Sequence, residues 1–231
     1  MLRFNVLETQ GARVAAFTER SDGDCASRAA NDANSGRIRA ARACGIAPER
    51  VVYAGQVHGN RVGRATTAHA EAGGGAFPAT DALITDRRDV PLGILVADCT
   101  PVYLLDPERP AIGLAHAGRE GTRADIAGET VRAMAAAYGC EPGRMVAVIG
   151  PSAGPDRYEV SEEMAAAWVA QGLPARGRLL DLWEANAGLL EAAGLRRGRI
   201  HIAGRCTISD DRFFSHRRDA DGGRNLALLM L

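Results

Sequence analysis

Three short segments gather the residue types that do chemistry. Gln56-Val57-His58-Gly59 follows one apolar run, Ala97-Asp98-Cys99-Thr100-Pro101 lies between two others, and Ala115-His116-Ala117-Gly118 ends a fourth. Each offers a soft or borderline metal ligand at a strand end, where a sheet scaffold presents side chains to a cleft. Imidazole and thiolate together suit zinc. His58, Cys99 and His116 would leave the fourth tetrahedral position open, as in catalytic rather than structural sites. A zinc-bound water there would have a pKa of about 7. Asp98, beside Cys99, could steady a ligand or accept a proton. The same residues also read without a metal, with Cys99 as nucleophile and His116 as its base. Ordinary packing at strand ends is a third reading, and separations of 41 and 17 residues match no local zinc signature. The residues alone leave the three readings open.

Positioning such residues requires a sheet. Apolar runs at 13–17, 51–54, 92–97, 102–105, 111–115, 146–149 and 200–203 predict strands. Several are continuous rather than alternating, which predicts burial on both faces. Three helices follow from apolar periodicity and capping. The first spans 124–138, with Ala127, Val131, Met134, Ala135 and Tyr138 on one face. The second starts after the cap Ser161, with Glu162 and Glu163 in the turn where the helix dipole favours them. Its apolar stripe is Met164, Ala167 and Trp168. The third follows the cap Asp181, turns Leu182, Ala185, Leu189, Leu190 and Ala193 inward, and ends at Gly194. Asn186 shares that inner face, where a buried amide needs partners. Residues 22–36 and 67–80 are expected as loops. The class is α/β, with mixed sheet and covering helices.

Composition narrows the function classes. The 231 residues are 46% hydrophobic, enough for one large domain or two small ones with a substantial core. The 28 basic and 28 acidic residues cancel, whereas a nucleic-acid binder usually carries a basic excess. Every basic residue is Arg, so Schiff-base and Walker-lysine mechanisms are excluded. Cys25, Cys44, Cys99, Cys140 and Cys206 are odd in number and form no CxxC pair, unlike a secreted disulfide framework. The first ten residues carry no basic region followed by an apolar core. No apolar run approaches the roughly 18 residues of a spanning helix. A protein of the reducing cytoplasm, with neither membrane nor nucleic-acid partner, is expected; its oligomeric state is open.

Further motifs join the first three in a family order. Thr80-Asp81-Ala82 lies between the His58 and Cys99 segments, and Ile149-Gly150-Pro151-Ser152-Ala153-Gly154, Tyr158-Glu159-Val160 and Asp181-Leu182 with Asn186 follow. The tail carries Arg205-Cys206-Thr207, Phe213-Phe214-Ser215-His216-Arg217-Arg218-Asp219 and Gly223-Arg224. From Thr18 to the end, the chain resembles the YfiH-like family, also called the laccase-domain or multicopper polyphenol oxidoreductase family and peptidoglycan editing factor. The resemblance implies one catalytic domain over residues 1–231, a layered α-β-β-α sandwich with mixed sheets of the YfiH/CNF-like kind. It implies a metal, usually zinc, on His58, Cys99 and His116. One site with two His and one Cys cannot make a multicopper cluster, so zinc is expected ahead of copper. The implied activity is zinc-dependent phosphorolysis of purine nucleosides (adenosine, inosine, methylthioadenosine) with adenosine deamination, the small-molecule partners being nucleoside and phosphate. Cys99, Asp98 and His58 are the expected catalytic residues. Arg20, Arg119, Arg217, Arg218 and Arg224 are the candidates for substrate or phosphate, because Arg presents a planar fork of donors. Two other outcomes stay open: a cysteine-dependent hydrolase in peptidoglycan precursor editing, and a non-catalytic module that keeps a structural metal.

The departures from the family pattern are local. The family usually reads Ala-His-Ala-Gly-Trp-Arg-Gly; here Arg119 and Glu120 stand in the Trp and Arg positions. An acid opposes an anion where Arg would attract one. The family's N-terminal Thr-x-Arg-x-Gly-Gly and Leu-Asn segment is eroded to Thr18, Arg20 and Gly23, and Gly204 stands where an Asp often precedes Arg-Cys-Thr. The ligand residues are intact while their anion-binding surroundings are altered, which predicts a divergent member with shifted or reduced phosphorolysis. His69, His201 and the four remaining cysteines are expected to be structural or solvent-exposed.

Overall fold

Most strands of the protein bury both of their faces, and this decides the architecture. A computed structural model describes residues 1–26, 35–219 and 222–231. The first strands are β1 (Leu2–Arg3), β2 (Val14–Phe17), β3 (Val52–Ala54), β4 (Val62–Arg64) and β5 (Gly75–Phe77). Next come β6 (Ala82–Thr85), β7 (Leu92–Val96), β8 (Thr100–Asp106), β9 (Ala111–Ala117) and β10 (Val146–Ile149). The last are β11 (Ala175–Arg176), β12 (Leu179–Leu180), β13 (Ile200–Ile202) and β14 (Asn225–Met230). The helices are α1 (Asn5–Glu8), α2 (Gly36–Ala43), α3 (Thr67–Glu71), α4 (Arg119–Arg123), α5 (Ile126–Tyr138), α6 (Glu162–Val169), α7 (Leu182–Ala192) and α8 (His216–Asp219).

Two six-stranded mixed sheets result. One has the order β1-β2-β14-β7-β3-β5, antiparallel as far as β7 and parallel from β7 to β5. The other has the order β13-β10-β8-β9-β6-β4, antiparallel in its middle with a parallel pair at each edge. Phe17, Ile94 and Leu229 of the first sheet pack against Leu83, Tyr103 and Leu114 of the second. The alternate residues of the same strands face outward. Ala16, Leu226 and Leu228 meet Ala40 and Ala41 of α2, while Val102, Leu104 and Ile149 meet Val131 and Met134 of α5 and Leu190 of α7. Each fully buried Leu or Ile contributes about 1.5–3 kcal/mol, so two covered faces favour the continuous apolar runs seen in the sequence. The layers are α-β-β-α, as the resemblance implies. The Tyr103 hydroxyl crosses between the sheets and donates to the Ala16 carbonyl at 2.8 Å.

The three expected helices form, each capped by an acceptor side chain; the caps of the second and third are those read from the sequence, and the first begins at Ile126, after a cap not expected from the sequence. Ser161 accepts from the Met164 amide, Asp181 from Glu184, and Asp125 from Gly128. The stripe of α6 differs from expectation: Ala165 and Trp168 are buried, whereas Met164 is 44% exposed. This helix packs on the β11–β12 hairpin and a small cluster around Ala153 and Val160, so a narrow apolar face suffices. The expected loop at 67–80 contains α3 and β5. Thr66 and His69 cap α3 reciprocally, and β5 is a short edge strand pairing in parallel with β3. An edge strand beginning with Gly carries little apolar signal. Of the loop expected at 22–36, residues 27–34 lie outside the described residues, and Gly36 begins α2. No described helix is long and apolar enough to cross a membrane.

Candidate metal centre

Asp81 builds the site from beneath. Its carboxylate accepts hydrogen bonds from the amides of Val57 (3.2 Å), His58 (2.9 Å) and Gly59 (2.8 Å). It also meets His116 Nδ1 at 2.9 Å, and its carbonyl accepts from the His116 amide at 2.7 Å. Taking up Nδ1 leaves Nε2 as the free donor of His116. Gln56 fixes the same turn to β7, its amide both donating to the Leu95 carbonyl (2.6 Å) and accepting from the Leu95 amide (3.0 Å). Cys99 lies in the turn from β7 to β8, one residue after Asp98. In the β8–β9 register Thr100 pairs with Ala117, so Cys99 comes opposite Gly118. A Cβ on Gly118 would lie 2.8 Å from Cys99 Sγ and 3.2 Å from His58 Cδ2. Only glycine lets the chain pass so close to both. Gln56, His58 and Asp98 have φ of 43°, 62° and 81°. Left-handed non-glycine backbone is uncommon, and its gathering at one place marks a functional constraint.

His58, Cys99 and His116 therefore converge from the end of β3, the β7–β8 turn and the end of β9, across both sheets. Their ligand atoms all lie within 4.8 Å of one another, and His58 is exposed while His116 is buried. The imidazole rings meet edge to face at 4.8 Å. Zinc bonds of about 2.0–2.3 Å need ligand atoms roughly 3.3–3.8 Å apart, so the set fits a tetrahedral ion after a small closure. Burial pushes the Cys99 thiol up, but His116 and His58 outweigh it and bring the thiol down to about 6. Burial depresses His116, yet Cys99 and Asp81 raise it to about 9. His58 is raised above the ordinary imidazole value, chiefly by its hydrogen bond to Cys99. A thiolate held among positive imidazoles is the charge distribution that a cation would replace. The cluster opens on a cavity of about 990 Å³ with Tyr53, Ala54, Leu95 and Val96 among its walls.

The multi-copper polyphenol oxidoreductase laccase family model matches residues 12–231. The chain belongs to this family. Among curated relatives of this laccase-like chain is the purine nucleoside phosphorylase of Deinococcus radiodurans, 42% identical over 202 residues, 84% of this chain and 76% of that one. That of Corynebacterium glutamicum is 38% identical over 204 residues, covering 85% and 80%. Among solved structures, YlmD from Geobacillus stearothermophilus superposes with a TM-score of 0.83 at 31% identity, covering 95% of this chain and 92% of that one.

Other site candidates from the sequence lie elsewhere or are already engaged. The Asp98 carboxylate accepts from the Thr207 hydroxyl and the Arg217 amide, both at 2.7 Å. It fastens the C-terminal segment beside Cys99. Arg20 pairs with Asp219 and lies over the Phe214 ring at 4.6 Å. Arg218 donates to the carbonyls of Thr207, Ile208, Asp210 and Phe213 and pairs with Asp219. Arg224 lines the cavity but donates to the Gly222 and Gly223 carbonyls. Arg119 and Arg217 keep donors that meet no acceptor among the described residues. Glu120 is turned onto Arg119 (2.8 Å) and Arg123 (3.1 Å) rather than into the large cavity. Asn186 donates to Thr122 and Leu182, while its Oδ1 finds no partner among the described residues. Residue-level reasoning gave Gln56 and Asp81 no role. Their presence beside strand ends in the quoted motifs was the available signal.

Proposed function

We propose that the chain is a zinc-dependent purine nucleoside phosphorylase of the cytoplasm, acting on adenosine, inosine or methylthioadenosine and also deaminating adenosine, with residues 1–231 as one catalytic unit. The observation that carries this reading is the His58–Cys99–His116 cluster opening on a cavity large enough for a nucleoside. The names of the relatives at 38% and 42% identity support it. Zinc held by these three residues would act as a Lewis acid on an oxygen placed at its open position. The chain's own residues do the rest. Leu95 and Val96 offer apolar wall to a purine, and Asp81 orients His116 and the His58 turn. Exposed His58 is the ligand placed to meet substrate, and Asp98 positions the segment around Cys99. The test is elemental analysis of the purified chain with a nucleoside panel assayed with and without phosphate. Stoichiometric zinc and phosphate-dependent release of free base are expected. Zinc without any turnover would favour the non-catalytic module.

One observation favours a second reading. Cys99 lies between two imidazoles, as the nucleophile of a cysteine hydrolase would. A metal-free protein that hydrolyses a peptidoglycan precursor peptide would decide for it.

A further inference from the structure

Helix α7 supplies none of the three ligands, yet two of its side chains reach the turns that carry them. Trp183 and Asn186 are three residues apart and share one face of the helix. Asn186 Nδ2 donates to the Thr122 hydroxyl at 3.1 Å and to the Leu182 carbonyl at 2.8 Å. The Thr122 hydroxyl in turn donates to the Ala117 carbonyl at 3.5 Å, and the Thr122 amide donates to the Gly118 carbonyl at 2.8 Å. Ala117 follows His116, and Gly118 lies against Cys99 Sγ and His58 Cδ2. A Cβ on Gly121, in the same short helix as Thr122, would lie 3.2 Å from the carbonyl oxygens of both Gly59 and His116, so α4 rests on the backbone beside both imidazoles. A second relay ends at the thiol. Trp183 Nε1 donates to the Ser152 hydroxyl at 2.7 Å, and that hydroxyl also accepts from Thr100, the residue after Cys99, at 3.0 Å. Its own proton goes to the Gly150 carbonyl at 3.4 Å. Thr100, Thr122, Ser152 and Asn186 are all fully buried.

Covering the sheet does not require these polar groups. Ala187 and Leu190, further along α7, pack in the apolar cluster of Val102, Leu104 and Ile149. Asn186 Oδ1, by contrast, is buried with no partner among the described residues, and an unmet buried acceptor destabilises a fold. A leucine of similar size would cover the sheet without that cost. We infer that Asn186 and Trp183 are positioning residues for the metal centre. Through Thr122 and Ser152 they fasten the Gly118 turn and the Cys99 turn to a single helix. The ligand atoms, within 4.8 Å of one another, must close further onto a tetrahedral ion. Turns free to drift would have to be ordered as the ion binds, and that ordering subtracts from affinity. Two buried relays from one helical face settle both turns beforehand. The inference rests on the metal reading of His58, Cys99 and His116; it does not need phosphorolysis.

Zinc competition between the full chain and a chromogenic chelator tests this, beside thermal melts of the metal-free protein and the absorption of its cobalt(II) form. Asn186→Leu, Thr122→Val and Trp183→Phe keep the approximate shape and each remove one link of a relay. Each is expected to weaken zinc binding about tenfold, the low end for a lost partner behind a metal ligand, and to shift the cobalt bands that report ligand geometry. Thr122→Ser keeps the hydroxyl and is expected to retain wild-type affinity. Asn186→Leu combined with Thr122→Val should bind no more weakly than either alone, because both break one relay. Combined with Trp183→Phe, its loss should multiply. Metal-free Asn186→Leu should melt close to wild type, because the orphaned acceptor goes with the amide. Leu190→Val, on the same helix but outside both relays, is the control. It should lower the melting temperature by a few degrees and leave zinc affinity unchanged. If Asn186→Leu misfolds, the two Thr122 variants decide. Wild-type affinity in Asn186→Leu and Trp183→Phe, or affinity that falls with the melting temperature in Leu190→Val as well, overturns the inference. A wild-type chain that binds no zinc sinks the metal reading and this inference together. Zinc bound with the expected dependences by a chain that turns over no nucleoside sinks the phosphorylase reading and leaves the inference standing.

Discussion

Asp81 is fully buried, yet its carboxyl is held below the ordinary range. Burial pushes it up, and the His116 imidazole with the Gly59 and Val57 amides outweighs that. An Asn in its place would turn an NH₂ group toward donors that need an acceptor. Asp81→Asn should therefore weaken zinc binding about 10- to 100-fold, the usual effect of losing a partner behind a ligand. Competition with a chromogenic chelator reads it directly. Wild-type affinity in that variant would mean that Asp81 supports only the backbone. Cys99 and Cys140 make a second comparison. Cys99 is the sulfur of the cluster, whereas Cys140 packs beneath α5 near the Arg109 carbonyl. Cys99→Ala should abolish zinc binding and turnover, and Cys140→Ala should leave both near wild type. Full activity in Cys99→Ala would sink the metal and nucleophile readings together. Both residues are legible as types in the sequence; only the fold separates their environments.

The strands were legible mainly where both faces are covered by a continuous apolar run; β6, with all four residues buried, was not among those expected. All seven residues of β8 and of β9 are buried. β14 shows the limit. Its six residues are buried in the middle of the first sheet, but an apolar run at the chain end does not announce which strands it will join. The convergence of His58, Cys99 and His116 was expected from the residue types and the family motifs, not from their spacing, which carries no register between two sheets. At the junction of β9 and α4 the register makes a specific demand. Gly118→Ala would place a methyl group 2.8 Å from Cys99 Sγ, and the sulfur can retreat only by leaving His58 and His116. The variant is expected to lose most of its zinc while keeping a melting temperature close to wild type. Elemental analysis beside a thermal melt checks this, and full zinc occupancy would show that the turn relaxes around the methyl.

Across the whole molecule the 28 arginines and 28 acids do more than cancel; some pairs join distant parts of the chain. Arg20 and Asp219 bring the segment after β2 to α8, the segment whose Arg217 amide is held by Asp98. Arg218 lowers the Asp219 carboxyl to about 2 against burial, with help from the Ser215 amide and Arg20. In the unfolded chain the same group returns to 3.8. A carboxyl that binds its proton more weakly when folded stabilises the fold fully above its unfolded pKa, and loses that contribution as pH falls through its folded pKa. Asp219→Asn should thus cost about 1 kcal/mol at pH 7, the upper range for a screened pair near the surface. The gap from wild type should close between about pH 4 and pH 2, the interval between the two protonation equilibria. Urea unfolding of both proteins over a pH series measures it. A gap that stays constant to pH 2 would assign the effect to packing of α8 rather than to charge. If charge holds α8, kcat/KM of the variant should fall as well, because the segment that Asp98 fastens beside Cys99 would be less firmly placed.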